Sequence, residues 1–335
     1  MKRELRTVPL PRLLAWLTAL TICCALAGLA FGSVSLSPAE LLCALAQPGS
    51  TAFVVVRDVR LPRVLGGLFA GAGLSCAGVL LQGVLNNPLA GANTIGVTSG
   101  AGFAVMLALV LVPGSIAVIP AAAFLGALAA AALVFAIACA AEPSRVTIIL
   151  AGVTISSILG AGMNVLKLLN TGASLDLSAF LLGSLSGLTL RRLAVPLCLI
   201  ALALGAALCL TRPLALLGLG DAAAGSLGLQ VPQARGALLV LASVLAGAVV
   251  SYAGLLGFVG LIVPHICRRL FGGETARLMP CCALFGAGFV VVCDLLARTL
   301  FAPFELPVGI LMALTGGPFF LYLTLSRKGR RRLDA

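Results

Sequence analysis

The sequence predicts an all-α polytopic membrane protein of about ten transmembrane helices, and three observations predict it. Apolar residues make up 61% of the 335 positions and charged residues only 10%, with a mean hydropathy of +1.18, outside the range of soluble domains. From Val64 to Ala141 no charged residue occurs in 78 positions, too many for two spans of about 20 residues and comfortable for three. The 22 basic residues cluster between apolar runs, as membrane orientation requires. A single transmembrane domain covers 1–335, with no room for a soluble one.

Met1–Arg12 carries Lys2, Arg3, Arg6 and Arg12, and no charge follows until Glu40. A signal peptide would share that basic start, but no convincing small-residue cleavage site follows, so Leu13–Phe31 is read as the first span. Gly32–Arg63 is mixed and ends in Arg57, Asp58, Arg60 and Arg63; it is expected outside. Breakers at Asn86-Asn87-Pro88 and Val112-Pro113-Gly114 divide the uncharged run into spans near 64–85, 94–111 and 116–139. Val146–Leu166 lies between Arg145 and Lys167, and Leu193–Leu210 follows a short segment containing Asp176.

Gly236–Cys267 holds 32 residues without fixed charge, too many for one straight span and too few for two long ones. One span there would place Arg327, Lys328, Arg330, Arg331 and Arg332 outside, against the positive-inside tendency. Two short spans turning near Gly254–Gly257 keep that group inside. Spans near 278–296 and 306–325 complete ten, with both termini cytoplasmic and 15 of the 22 basic residues inside. The positive charge therefore reads as an orientation signal and an attraction to anionic lipid. Nucleic-acid binding is not indicated, because no basic face is interleaved with aromatics.

Thr211–Arg235 is a polar island in the second half of the chain, too short and too polar to cross a bilayer. Its centre, Leu219-Gly220-Asp221-Ala222-Ala223-Ala224-Gly225-Ser226-Leu227-Gly228, reads as two short helical pieces joined by glycine. Asp221 is placed to cap the second piece and Gly228 to end it. Such a capped, surface-lying pair suits a membrane protein driven from the cytoplasm by another molecule; an ordinary inter-helix loop is the plainer reading.

Catalysis finds little support. His265 is the only histidine, so a His-rich metal site is excluded, and no nucleophile stands beside a base. After Pro264, His265 reads as structural or interfacial. None of the three lysines stands in a phosphate-binding loop. The eleven cysteines lie mostly within spans without Cys-x-x-Cys spacing and read as small packing residues. Asp294 and Glu305, near the outer ends of the last two spans, are the acids an ion-coupled secondary transporter would have to use. Arg60 and Arg63, three apart with Pro62 suited to a helix start, are expected to project from one face at the outer mouth, with Arg298 nearby. Snorkelling to lipid headgroups is the alternative for all three.

Four blocks carry a resemblance. RLPR at 60–63 with GAGLSCAGVLLQGVLNNPLAGANTIGVTSGA at 71–101, GLGDAAAGSLGL at 218–229, GFVGLIVPHICRRLFG at 257–272 and DLLARTLFAPFELPVGILMALTGGPFFLYL at 294–323 resemble the FecCD family of ABC importer permeases. The resemblance implies the type II importer fold, and transport of an iron–siderophore, haem or cobalamin. It implies a homodimer or heterodimer of permeases, an extracytoplasmic substrate-binding protein and two ATPase subunits. No cofactor is expected on this chain, ATP and Mg belonging to the ATPase. Arg60, Arg63 and Arg298 would dock the binding protein; Leu219, Gly220, Asp221, Ala224, Leu227 and Gly228 would couple to the ATPase; Asn87, Leu89 and Ser144 would stand near the cytoplasmic gate. The fifth and last spans, with the loop between the second and third, would line the pathway.

Overall fold

A computed structural model describes residues 8–32, 49–141, 144–170 and 172–331. Most of the loop before Arg57, together with Pro143 and both extreme ends, lies outside the described residues. Among those described, all regular structure is helical. The helices are α1 (Leu10–Ala30), α2 (Thr51–Val84), α3 (Val97–Leu111), α4 (Ile119–Ala141), α5 (Arg145–Leu169), α6 (Ala173–Leu182) and α7 (Leu190–Cys209). Two short pieces follow, α8 (Thr211–Gly218) and α9 (Asp221–Ser226), and then α10 (Val231–Ala253), α11 (Val259–Phe271), α12 (Thr275–Thr299) and α13 (Val308–Arg331).

Seven of these, α1, α2, α4, α5, α7, α10 and α12, are long and apolar enough to cross a membrane. Val97–Leu111 and Val308–Phe319 are shorter apolar helices, and α11 is a further short helix; these three lie within stretches expected to span. The uncharged stretch after residue 235 does break, at 254–258, where Gly254 and Phe258 both take positive φ. The short helix α6 has no counterpart in the sequence reading.

α2 is the axis of the bundle, with α12, α10, α11 and α7 packed around it. It begins earlier than expected and does not start at Pro62. Ser50 accepts a hydrogen bond from the Phe53 amide at 3.1 Å, capping a helix that runs from Thr51. A widened turn at Val55–Arg60 then carries the chain through the proline. Proline lacks an N–H and its ring crowds the carbonyl one turn back, so an extra residue in that turn relieves both problems.

The packing around α2 is backbone on backbone. A Cβ placed on Gly71 would lie 2.0 Å from the Gly286 carbonyl oxygen of α12, and one on Gly78 would lie 1.9 Å from that of Gly260 in α11. In lipid, where burial of apolar surface gives helices no advantage, such close approach supplies the dispersion contacts that hold a bundle together. Ser75 adds a hydrogen bond to the Cys282 carbonyl at 2.7 Å. Cys76, Cys267, Cys281 and Cys282 are buried in the same region and fill small spaces.

Candidate functional site

We refer to the end of the bundle where α2 begins as upper and the opposite end as lower. At the lower end the polar island folds into α8 and α9, two short helices separated by Leu219 and Gly220. Gly220 has φ +105° and Gly228 φ +84°, and α9 closes with Gly228 and Leu229 amides donating to Gly225 and Ala224 carbonyls. Gly228 therefore ends the helix as its position suggests. Asp221 does not cap it. Gly220 occupies the cap position, and the Asp221 side chain makes no capping hydrogen bond.

Asp221 instead joins three elements. Arg235 of α10 donates to both its carboxylate oxygens at 2.8 Å, and Arg145, the first residue of α5, donates to Oδ1 at 3.0 Å. Arg145 also donates to the Leu217 carbonyl of α8 at 2.8 Å. Hydrogen bonding from Arg235 holds the Asp221 carboxyl below its ordinary value, against a smaller opposing effect of burial. Ala224 is fully buried beneath α9, while Leu219 and Leu227 are exposed.

At the upper end the three arginines do not project. Arg60, Arg63 and Arg298 are 2%, 5% and 2% exposed, which corrects the expectation of a common open face. Arg63 Nε donates to both carboxylate oxygens of Asp294 at 2.9 and 3.0 Å, and its Nη1 donates to Glu305 at 2.7 Å. Arg298 lies 3.6 Å from Asp294 and donates to the Gly28 carbonyl at 2.6 Å. Arg60 donates to the Leu29 and Ala30 carbonyls at 2.7 Å, meeting the open carbonyls at the end of α1. Charge buried in a membrane protein is tolerated when paired and hydrogen-bonded, and here it ties α1, α2 and α12 together. Arg57 is exposed at this end and lies over the Phe53 ring at 5.4 Å.

Between the ends, three irregular segments converge. The Ser184 amide donates to the Ala253 carbonyl, the Leu255 amide to Phe180, and the Gly309 amide to Gly183. These bonds join the end of α6, the break between α10 and α11, and the start of α13. Non-helical backbone at membrane depth survives only when enclosed by protein or lining a cavity. A cavity of about 510 Å³ lies beside the junction, lined by Asn93, Thr98, Leu182, Leu256, Phe258 and Gly309 among others. A second, of about 260 Å³, shares Asn93, Thr98 and Phe258 and reaches Leu89 and Gly91.

Of the expected gate residues, the structure brings two together. Asn87 Oδ1 accepts from the Leu89 amide at 2.9 Å, and Leu89 is exposed on the wall of the lower cavity. Ser144 lines neither cavity; it caps α5, accepting from the Thr147 amide at 3.1 Å. His265 is half-buried, its ring edge-on to Phe319 with centroids 6.0 Å apart. Gln82 went unnoticed in the sequence: it is buried, donates to the Gly260 carbonyl at 2.9 Å and accepts from Arg268, fastening α2 to α11.

A bundle of apolar helices long enough to cross a membrane, with open cavities beside broken helices and a non-spanning helix pair at one end, is the architecture of a membrane transport subunit. The chain belongs to the FecCD transport family, whose pattern matches residues 19–326. It is 39% identical over 303 residues to the Fe(3+) dicitrate transport system permease protein FecD of Escherichia coli, covering 90% of this chain and 94% of that one. It is 36% identical to the hemin transport system permease protein HmuU of Yersinia pestis, over 96% of this chain and 98% of that one. A cobalamin import system permease protein of Halobacterium salinarum is 38% identical over 84% of this chain and 76% of its own. A solved structure described as an inward-facing ABC transporter of metal-chelate type superposes with TM-score 0.85 at 32% identity, covering 94% of this chain and 99% of its own. The protein is thus an integral, multi-pass transport permease of the cell membrane.

Proposed function

We propose that the chain is the membrane subunit of a binding-protein-dependent ABC importer, moving an iron–siderophore or related metal chelate into the cytoplasm. ATP and Mg are bound and hydrolysed on two separate ATPase subunits, and this chain pairs with a second permease, identical or similar. Ten spans place both termini and the lower end in the cytoplasm. The observation that carries the reading is the attachment of the α8–α9 pair to α5 and α10 through Asp221. A push on the pair is thereby delivered to both helices.

In this reading Leu219, Gly220, Asp221, Ala224, Leu227 and Gly228 form the surface presented to the ATPase. Asn87 and Leu89 stand at the cytoplasmic gate, and Ser144 holds the start of α5 beside it. Arg60, Arg63 and Arg298 shape the outer surface on which the binding protein docks, with Arg57 exposed upon it. Supporting a permease pair, α5 leaves Val153, Ile158, Val165 and Leu168 uncovered in the single chain.

Purification in mild detergent from cells that also express the partner genes tests the proposal. Recovery of an ATPase subunit in stoichiometric amount is expected. A stable permease that never retains one, yet takes up substrate in vesicles driven by an ion gradient, would overturn it.

A further inference from the structure

At the lower end a pocket of about 440 Å³ opens between the end of α2, the short helix α8 and the turn from α11 to α12. Its volume falls within the range of small-molecule sites, about 300–1,000 Å³. Neither α5 nor α13 contributes to it, and it shares no residue with the two cavities beside the broken helices. Because α2 and α11 end here and α12 begins, the pocket stands at the boundary between hydrocarbon and water. Lipid headgroups occupy that level.

Two charges of opposite sign line this pocket, one on each side of Gly272-Gly273. Arg268, half-buried near the end of α11, donates to Gln82 and has no acidic partner among the described residues. A guanidinium carries five N–H groups, so donors remain for a ligand. Glu274, exposed and the last residue before α12, makes no side-chain hydrogen bond and pairs with no cation among the described residues. The side chains of Asn86 and Thr275, on the same walls, are likewise without a partner there. Val79, Leu214 and Leu278 supply apolar surface beside them.

We infer that this pocket binds the phosphoethanolamine headgroup of a membrane phospholipid, with its phosphate on Arg268 and its primary ammonium on Glu274. Guanidinium and phosphate form charge-assisted hydrogen bonds, and an ammonium donates to a carboxylate in the same way. A zwitterion therefore answers both charges at once. A purely anionic headgroup would meet Glu274 as a like charge, and a quaternary ammonium would have no N–H to give it. Asn86 and Thr275 can donate to the remaining phosphate oxygens, while the apolar wall shelters the glycerol end. Seated there, the headgroup bridges the turn between α11 and α12 and lies against α8. Nothing in this site depends on the cargo or on the ATPase.

The test titrates the full-length chain, delipidated in detergent, with short-chain phosphatidylethanolamine, phosphatidylglycerol and phosphatidylcholine of the same acyl length, and with soluble O-phosphoethanolamine. Apparent affinities are read from the rise in thermal midpoint with ligand concentration. Phosphatidylethanolamine is expected to bind about tenfold more tightly than the other two lipids, the scale of one charge-assisted hydrogen bond. Glu274→Gln should erase its advantage over phosphatidylglycerol, and Arg268→Gln should weaken all three lipids about tenfold. Because Arg268 also fastens α11 to α2, a misfolded Arg268→Gln leaves the decision to Glu274→Gln, whose position is exposed. Equal affinity for phosphatidylethanolamine and phosphatidylglycerol, or a preference that survives Glu274→Gln, would overturn the inference. O-phosphoethanolamine binding as tightly as the lipid would assign the pocket to a soluble phosphate and overturn the lipid source. Displacement of bound lipid by an added ATPase subunit would overturn it too, by making the pocket part of a protein interface.

Discussion

A single nitrogen of Arg235 donates to both carboxylate oxygens of Asp221 at 2.8 Å, although the two belong to different helices and only the arginine is buried. Asp221→Asn is therefore expected to loosen α9 from α10 and α5 while leaving the bundle assembled. Stimulated ATP hydrolysis should fall, with membrane insertion normal. Full coupling in this variant would show that the ion pair transmits nothing.

The same pair sets a pH dependence. Asp221 has a folded value below its ordinary one, so its contribution is fully present above the ordinary carboxylate range and is lost as pH falls through the lowered value. Hydrogen exchange of residues 217–229, corrected for intrinsic rates, should thus stay slow at neutral and mildly acidic pH. Release is expected only below about pH 4, where an unperturbed aspartate would already be half protonated. Release near pH 6 would contradict the geometry.

Gly228→Val and Ala224→Trp attack the shape of the island in different ways. No heavy atom would lie within 4 Å of a Cβ at Gly228, so valine there costs only left-handed backbone strain, about 1–2 kcal/mol. Ala224 is fully buried, and tryptophan cannot fit without lifting α9. The double variant should reach the membrane and show no stimulated turnover. Normal turnover would reduce the island to a connecting loop.

Arg63→Ala is expected to damage the protein more than the docking of a partner. Removing one member of a buried pair costs about 3–5 kcal/mol, because Asp294 would remain buried and depend on Arg298. Arg57→Glu, at an exposed position, should leave thermal stability in detergent unchanged. Equal stability of the two variants would mean that the upper network holds nothing together.

Orientation is checked independently by reporters fused after Ala335 and at Gln47. Opposite compartments are expected from the distribution of basic residues. The same compartment for both would rule out ten spans.

The run lengths made the helices legible, because an uncharged stretch of known length admits few divisions into spans. Gly228 was legible for a local reason: a left-handed helix end depends on neighbours within a single turn. Asp221 was misread because its partners, Arg145 and Arg235, come from two other helices, and a sequence shows a cap position more readily than a long-range ion pair. The upper arginines failed in the same way. Their charge at helix ends suggested exposure, while Asp294 and Glu305, which neutralise Arg63, stand more than 200 residues later. Pro62 marks a widened turn and not a start, since the capping residue Ser50 lies in a stretch read only as a mixed loop.

The carbonyl contacts of Gly71 and Gly78 leave α2 no clearance against α12 and α11. Advancing either neighbour by one residue, about 1.5 Å, would bring side-chain carbon where only a glycine hydrogen fits. Helices of this core therefore cannot slide past one another during a transport cycle. In the paired importer proposed above, access would therefore alternate by tilting whole subunits, each a stiff lever whose short arm is the α8–α9 pair and whose long arm reaches the upper end.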